Sequence, residues 1–313
     1  MPALLLSLCL DGHAFAVTAT IDGNAAPTGW VYARVGQKVL LKVRPPAGKV
    51  ADVHWLKLEP EVASVDNTQP NFHFEPIPYR EIELTACRGK LECPADVVPS
   101  VQPLVPEVAG AGTMAFQVRL TLEGGDELAS PGRTAVRRGG LTREVLRVTF
   151  RKDDSYLGYL TELVNTPYIF GSAGPDGDNQ TDNLVGADCA DLAVYGRRRM
   201  GLPTPYTSSF DLDRLAPQAS RAVSLDDAGV ALGADGKPIA IPSGARPGDS
   251  LHFPNSRHVA VLWEDNPPSG VLDENDLMFH TCWAPPKVEA IGSSSCASLP
   301  WRVLRFPKPP PAK

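Results

Sequence analysis

Residues 165–201 read NTPYIFGSAGPDGDNQTDNLVGADCADLAVYGRRRMG, and this stretch decides the fold of the second half of the chain. A loop rich in Gly, Asp and Asn leads into Asp188 and Cys189, and an apolar-periodic segment follows and ends at Gly201. A turn-rich loop before such a segment, with Gly and then Pro after it, predicts a helix that begins near Cys189. The free N–H groups and the positive dipole end there favour a thiolate, so Cys189 is a candidate nucleophile.

Length and composition favour a two-domain globular protein. The chain has 313 residues, of which 43% are hydrophobic and 21% are charged, and these are ordinary values for such a protein. The formal net charge of −6 leaves no basic footprint, so we expect no nucleic-acid partner. The 31 prolines are about twice the usual share, which favours short strands and many turns over a helical bundle.

The first 16 residues, MPALLLSLCLDGHAFA, contain a short apolar run and then an Ala14-Phe15-Ala16 cleavage pattern. These features resemble a secretory signal that ends at Ala16, although no Lys or Arg precedes the run. The alternative is an ordinary buried first strand. The cleavage pattern predicts a secreted or periplasmic protein. We expect no membrane span, since the apolar run falls far short of the ~20 residues that cross a bilayer.

The other cysteines support export. Cys87 and Cys93 bracket one short segment and Cys282 and Cys296 bracket another, as disulfide staples do in an oxidising compartment. If the first 16 residues are removed, Cys189 remains as an unpaired thiol. An odd cysteine in a secreted protein indicates a reactive thiol. The alternative is a cytosolic protein in which all six cysteines are reduced.

Residues 17–150 are predicted to form an all-β accessory domain. Short alternating or β-branched runs are separated by turn signals such as Asp22-Gly23-Asn24. Many short strands at this spacing predict an immunoglobulin-like sandwich or a barrel. No charged or aromatic cluster indicates catalysis here, so a wall-binding, partner-binding or spacer role stays open. The predicted strands are residues 17–21, 30–35, 38–43, 53–58, 72–74, 80–84, 115–122 and 144–150.

Residues 151–307 are predicted to form an α+β domain. The segment SYLGYLTELVN has apolar residues at helical spacing, with Asp153 or Ser155 as the helix cap. The helix of Cys189 follows, and then come a hairpin turning at Asp235-Gly236 and several strands. A helical part followed by antiparallel strands is typical of α+β folds. The predicted strands are residues 250–253, 258–263 and 277–283, and the Pro-rich residues 308–313 are predicted to be disordered.

Three segments resemble, in the same order, motifs of the NlpC-type cell-wall cysteine peptidases of bacteria, which have a compact papain-like fold. TPYIFGSAG with GADCADL resembles the family's Tyr-x-x-Gly-Gly loop that leads into Asp-Cys-Ser-Gly-Leu. RPGDSLHFPNSRHVAVLW resembles its Pro-Gly-Asp turn, apolar strand and His-Val-Gly-Ile strand, and LMFHTCW resembles its later Ile-His strand. The resemblance covers about residues 155–305 and leaves the β-rich half without a counterpart.

The resemblance implies a role for each matching residue. The thiolate of Cys189 attacks an amide carbonyl, and His258 takes and later returns the proton. His280 orients the ring of His258, as the third member of a triad does. Tyr168 lines the site near the thiol, and Asp188 holds the amine end of the substrate. The backbone N–H of Cys189 at the helix start is the natural oxyanion donor.

Alternatives and departures from the family pattern accompany these assignments. His252 is a rival base, and each assigned residue also has a purely structural interpretation, such as a helix cap for Asp188. The small residues Ser-Gly that follow the family's cysteine are Ala190 and Asp191 here, and the second Gly of the loop is Ser172. These positions lie near the substrate in the family, so they bear on specificity and on activity itself.

The sequence therefore predicts a secreted cysteine endopeptidase that hydrolyses amide bonds in peptidoglycan stem peptides through a Cys-His-His site. The alternatives are a papain-like amidase or acyltransferase with another substrate, and a catalytically inactive wall- or partner-binding protein. We expect no cofactor. We also expect no metal, since His280 and Cys282 have no second ligand pair at zinc spacing.

Overall fold

The computed structural model describes residues 15–26, 29–46, 50–68, 74–100, 106–174, 179–268 and 270–308. Strands make up 39% of the chain and helices 13%, so the protein is β-rich. The strands of the first half are β1 Ala16–Ile21, β2 Asn24–Ala25, β3 Trp30–Arg34, β4 Val39–Arg44, β5 Val50–Pro60, β6 Ser64–Asp66, β7 Tyr79–Glu83, β8 Glu92–Pro94, β9 Gly112–Leu122, β10 Glu127–Ala129, β11 Val136–Arg137, β12 Gly140–Leu141 and β13 Leu146–Arg151.

The second half contains the helices and nine further strands of the described residues. These elements are α1 Tyr156–Leu160, β14 Tyr168–Phe170, α2 Cys189–Arg199, α3 Leu212–Leu215, β15 Gln218–Ala222, β16 Ser224–Leu225, β17 Ala231–Leu232, β18 Ser250–Phe253, β19 His258–Glu264, β20 Leu277–His280, β21 Lys287–Ala290 and β22 Trp301–Leu304. Short 3-10 helices lie at Thr85–Cys87, Pro106–Val108, Thr161–Leu163, Pro254–Ser256 and Ile291–Ser293.

Two sheets of the first half pack against each other as a sandwich. One sheet has the order β2-β1-β4-β8, and the other has the order β3-β13-β9-β5-β7 with β10 paired to β9. Leu41 of the first sheet and Trp55 and Val118 of the second lie in one buried cluster. Alternating apolar residues on each inner face account for this core. The Cys87–Cys93 disulfide joins the segment before β8 to β8 itself, as the sequence predicts.

An antiparallel sheet of six strands organises the second half, with the order β15-β22-β18-β19-β20-β21. The helix α2 packs on one face of it, where Leu192 and Ala193 share a buried cluster with Val259 and Val261. Ala260 and Leu262, which alternate with those valines along β19, belong to a cluster on the other face. The sheet thus buries both faces of its central strands.

The two halves are joined by a parallel strand pair, β6 with β14. Val65 of β6 and Ile169 of β14 also share a small buried cluster with Ile77 and Val185. The first half therefore contacts the loop that leads toward Cys189 directly. Local sequence patterns did not predict this pairing because the partners are distant in the chain.

The predicted elements compare with the structure as follows. Most of the strands of the first half and the strands at 250–253 and 258–263 are present within a few residues of their predicted bounds, while the predicted strand at 277–283 ends at His280. The segment at 206–225, predicted to be a connection, holds α3, β15 and β16. The signal-like residues 1–14, the predicted strand residues 72–73 and the tail residues 309–313 lie outside the described residues. No helix in the described ranges is long and apolar enough to cross a membrane.

Candidate active site

Cys189 is the first residue of α2, as the sequence predicts, and Asp188 is its N-cap. The side-chain Oδ1 of Asp188 accepts hydrogen bonds from the backbone N–H groups of Ala190 (3.0 Å) and Asp191 (2.8 Å). This is the ordinary way in which an Asp satisfies the free donors at a helix start. Burial raises the pKa of Asp188 to about 6, against the opposing effect of these and other backbone N–H groups.

The thiol of Cys189 is enclosed. Its residue is 8% exposed, and the backbone N–H of Val259, the residue after His258, acts to lower the pKa of the thiol. Burial raises the pKa of Cys189, and the negative charges of Asp188 and Asp191 raise it further, while the N–H groups of Val259 and Ala190 oppose them. The structure thus differs from the expected thiolate because the two carboxyl groups and burial outweigh the helix N-terminus.

Two histidines and a glutamate form a hydrogen-bonded chain that begins at His258, the first residue of β19. Nε2 of His258 lies 2.8 Å from Nδ1 of His280, and Nε2 of His280 lies 2.8 Å from Oε1 of Glu289. Lys287 donates to the other carboxylate oxygen of Glu289 at 2.5 Å. The predicted pair His258 and His280 is therefore brought together, and Glu289 of β21 extends it as a member that sequence reasoning missed.

The hydrogen-bonded chain from His258 to Glu289 determines which ring nitrogens carry protons when both imidazoles are neutral. The carboxylate of Glu289 can only accept, so Nε2 of His280 carries a proton and Nδ1 of a neutral His280 accepts. Nε2–H of His258 then donates to His280, and Nδ1 of His258 is left with a free lone pair. The nitrogen that faces away from His280 is thereby prepared to accept a proton.

The charges along this chain follow from burial and hydrogen bonding. Burial lowers the pKa of His258 to about 3, and the neighbouring His280 lowers it too, while Glu289 acts in the opposite direction. Burial on its own would raise the pKa of Glu289, but the hydrogen bonds from His280 and Lys287 prevail and lower it to about 2. At neutral pH, His258 is thus an uncharged base and Glu289 a carboxylate.

The rival base, His252, lies outside this chain. It is 2% exposed, it pairs with Val259 across β18 and β19, and both ring nitrogens lack a hydrogen-bond partner in the described structure. Burial lowers its pKa, and the nearby Arg302 lowers it further. Of the two candidate bases, His258 is the one that His280 contacts. No hydrogen bond between described residues joins the Cys189 thiol to either candidate base.

An aromatic group borders the thiol. Tyr168 is buried, and burial is the main reason that its pKa is raised. The negative charge of Cys189 raises the pKa of Tyr168 further, which indicates that the two side chains are close. The ring centroid of Trp283 lies 5.0 Å from that of Tyr168 and 5.7 Å from that of Phe170. Phe170 and Trp283 are 41% and 57% exposed, so they present apolar surface to solvent beside the enclosed site.

Two departures from the family pattern contact each other. Ser172 Oγ donates to Oδ2 of Asp191 at 2.6 Å, and it accepts from the backbone N–H of Asp188 (3.1 Å) and from Thr181 Oγ1 (3.0 Å). Burial raises the pKa of Asp191, as does the charge of Asp188, against the hydrogen bond from Ser172. The larger, polar residues at these two positions therefore satisfy one another where the family has glycines.

The Cys282–Cys296 disulfide, which the sequence predicts, lies against the candidate base. One ring nitrogen of His258 and the two sulfur atoms of this disulfide all lie within 4.8 Å of one another. His258 is buried, and the two cysteines are partly exposed. These three residues are the group of described side chains whose spacing suits a metal ion.

Comparisons with known proteins do not identify a family. No family model and no curated protein matches the chain. Among solved structures, the chain is similar to the crystal structure of Spo0M, a sporulation control protein from Bacillus subtilis, at 11% sequence identity and a TM-score of 0.21. This likeness covers 48% of the present chain and 54% of the other, about half of each. It is too weak to bear on fold or function.

Proposed function

We propose that the protein is a cysteine peptidase of the papain-like, NlpC type that hydrolyses amide bonds in peptidoglycan stem peptides. The observation that carries the proposal is the hydrogen-bonded chain His258–His280–Glu289. It begins one residue before Val259, whose backbone N–H acts to lower the pKa of the Cys189 thiol. A nucleophile, a base and a group that orients the base are the parts that acyl transfer needs.

The reaction begins from a neutral thiol and a neutral imidazole. Sγ of Cys189 attacks the amide carbonyl carbon as its proton passes to Nδ1 of His258, which leaves a tetrahedral oxyanion. The backbone N–H of Cys189 is an oxyanion donor, since it lies at the start of α2 and Asp188 caps the next two N–H groups. The C–N bond then breaks, and His258 returns the proton to the leaving amine.

Hydrolysis of the resulting thioester restores the enzyme. His258 removes a proton from water as the oxygen of that water attacks the acyl carbon, and the thiolate of Cys189 leaves and regains the proton. In both halves of the cycle the imidazolium of His258 donates to His280, which donates to the carboxylate of Glu289. This carboxylate stabilises the positive charge that appears on His258 during each proton transfer.

The disulfides support a place for the protein outside the cytoplasm, where wall peptides are available. Cys87–Cys93 and Cys282–Cys296 persist in oxidising compartments and are rare in reducing ones. The exposed rings of Phe170 and Trp283 offer apolar contacts beside the thiol for a peptide. The β-sandwich of the first half is the part available to bind the wall polymer or a protein ligand.

The test is digestion of purified peptidoglycan, with the released peptides separated by liquid chromatography and identified by mass spectrometry. We expect Cys189→Ala to abolish release and His258→Ala to slow it by about 100- to 10,000-fold, the usual contribution of a general base. His252→Gln is the matched control, since this histidine is buried on the neighbouring strand β18 and is not part of the hydrogen-bonded chain from His258 to Glu289. Release by Cys189→Ala at the wild-type rate would overturn the proposal.

A second candidate function is a wall- or partner-binding protein that has lost catalysis. The enclosure of Cys189 and the lack of a described hydrogen bond to His258 favour it, although such contacts are often long before substrate binds. Labelling of the folded protein with iodoacetamide distinguishes the two. Failure of Cys189 to react at any pH at which the fold persists, together with retention on peptidoglycan and no release of peptides, would favour the binding protein.

A further inference from the structure

The disulfide beside His258 occupies the place of a metal ligand pair. The sulfurs of Cys282 and Cys296 and one nitrogen of His258 are mutually within 4.8 Å. Around a zinc ion, with Zn–S near 2.3 Å and Zn–N near 2.0–2.1 Å, ligand atoms lie roughly 3.5–3.8 Å apart. Reduction frees the two bonded sulfurs to separate to that spacing, and each lies within 4.8 Å of a nitrogen of His258, about 1 Å beyond the spacing in a zinc site. The sequence hides this grouping because His258 is distant in the chain from the two cysteines.

We propose that the reduced protein binds one zinc ion through Cys282, Cys296 and His258, so that the disulfide and the metal exclude each other. The fourth position of the tetrahedron is open to water, as in three-ligand zinc sites. Thiolate and imidazole are the ligands that zinc prefers. Reduction supplies the ligands: a trialkylphosphine gives two electrons to the S–S bond, becomes a phosphine oxide with oxygen from water, and the two sulfurs take up the protons.

Other contacts hold the two cysteines in place without the disulfide. Ser256 Oγ, in the turn between β18 and β19, donates to the backbone carbonyl of Cys296 at 2.5 Å. Cys282 follows directly after β20, where Thr281 Oγ1 donates to the carbonyl of Ala284 at 2.7 Å. These bonds hold the backbone at Cys296 and next to Cys282 independently of the disulfide.

The environment of His258 suits a zinc ligand. His258 can bind metal through a neutral ring nitrogen. Its Nε2 is bonded to His280, which leaves Nδ1 as the nitrogen free to bind metal. The chain through His280 to Glu289 would then orient the ligand and strengthen it, as a hydrogen-bonded carboxylate does for zinc-bound histidines.

Zinc at this place occupies the nitrogen that accepts the proton of Cys189. The consequence for activity rests on the proposed function: the reduced, zinc-bound protein would be an inactive peptidase, and formation of the Cys282–Cys296 disulfide would release the metal and free His258. Metal binding itself does not depend on the protein being an enzyme, so the two claims can fail separately.

The experiment measures bound zinc directly. The full chain is reduced with a trialkylphosphine, dialysed against ZnCl₂ without oxygen, freed of loose metal on a desalting column and assayed by mass spectrometry for zinc per protein. The variant Cys87→Ser/Cys93→Ser is the matched control, since it removes the other disulfide. We expect about one zinc in the reduced control variant, none in its oxidised form, and none in reduced Cys282→Ser/Cys296→Ser.

The histidine ligand is tested in the same control background. Removal of a residue that only orients a metal ligand weakens metal binding by roughly 10- to 100-fold. We expect His258→Ala, which removes a ligand itself, to weaken zinc binding by more than that. Circular dichroism confirms the fold of each variant, and cobalt substitution reports sulfur coordination by its absorption. Zinc absent from the reduced control variant, unchanged in Cys282→Ser/Cys296→Ser, or bound as tightly by His258→Ala would each overturn the proposal.

Discussion

Replacement of Glu289 by Gln tests the role of the carboxylate at the end of the imidazole chain. Gln keeps an oxygen that accepts from Nε2 of His280, whose distance to Glu289 is 2.8 Å, but it removes the negative charge. A hydrogen bond to a charged group contributes about 1.5–3 kcal/mol, against about 1 kcal/mol for a neutral pair. If the transition state loses about 1–1.5 kcal/mol of stabilisation, kcat falls roughly 10-fold.

The assay is the rate of peptide release from soluble peptidoglycan fragments at several concentrations. Glu289 contacts His280 and Lys287, so we expect kcat to fall and KM to stay unchanged. Glu289→Ala should fall further, to about 100-fold, because it leaves a buried imidazole N–H without its partner. Glu264→Gln, at the exposed far end of β19, is the control and should behave as wild type.

Two results would refute the reasoning. A wild-type kcat in Glu289→Gln with an unchanged melting temperature would mean that the carboxylate of Glu289 does not stabilise the positive charge on His258. An equal loss in Glu289→Gln and in the Glu264→Gln control would mean that the effect is a general one of the sheet. Partial unfolding would also lower the apparent kcat at unchanged KM, so the melting temperature of each variant must show that the protein is folded at the assay temperature.

Three further predictions concern stability and the thiol. Glu162→Gln should lower the free energy of unfolding in urea by about 3–5 kcal/mol, because this fully buried carboxylate pairs with Arg199 at 2.6 Å; a change below 1 kcal/mol would contradict it. Asp191→Asn should speed iodoacetamide labelling of Cys189 at a fixed pH, since its charge raises the pKa of the thiol; slower or unchanged labelling would show that the charge is not felt there. Burial raises the pKa of Asp276 to about 7 from an unfolded value near ~3.9, so between these values the folded protein holds a proton that the unfolded chain has lost, and this residue costs stability as pH rises. The urea stability of Asp276→Asn relative to wild type should therefore increase from pH 4.5 to 8, and a decrease would reverse the assigned sign.

Local patterns in the sequence were enough to place Cys189, the candidate nucleophile, at the start of a helix. The helix that begins at Cys189 depends on neighbours in the chain: Asp188 caps it, the loop before it carries turn residues, and Gly201 ends it at a positive φ of 78°. The strands β18 and β19 follow from alternation and from the turn between them. Such features need no knowledge of tertiary structure.

The rest of the site depends on register and on long-range contacts. Glu289 reaches His280 because β20 and β21 pair with His280 opposite Lys287, and a sequence alone does not reveal the register of a pair of strands. Arg199, at the basic end of α2, donates to the buried carboxylate of Glu162. A buried charge requires a partner, and no local pattern identifies which one.

The first half of the chain helps to shape the loop beside the thiol. The strand β6 pairs with β14, which carries Tyr168, and Asn67 Nδ2 donates to Oε1 of Gln180 at 2.5 Å. Gln180 in turn donates to the backbone carbonyl of Arg138 at 3.0 Å. Contacts from the β-rich half therefore hold both sides of the loop between Tyr168 and Cys189. This half is therefore part of the support of the candidate site.

The opposite pKa shifts of the thiol and the imidazole determine how such a site must work. Burial raises the pKa of Cys189 and lowers that of His258 to about 3, so the resting pair is neutral and a preformed thiolate is disfavoured. In the proposed mechanism the proton therefore moves only as the thiol attacks, and positive charge appears on His258 in the transition state. Glu289, whose carboxylate stays charged, stabilises that state and not the resting one. In a site with a preformed ion pair the same carboxylate would stabilise both states and add little to kcat.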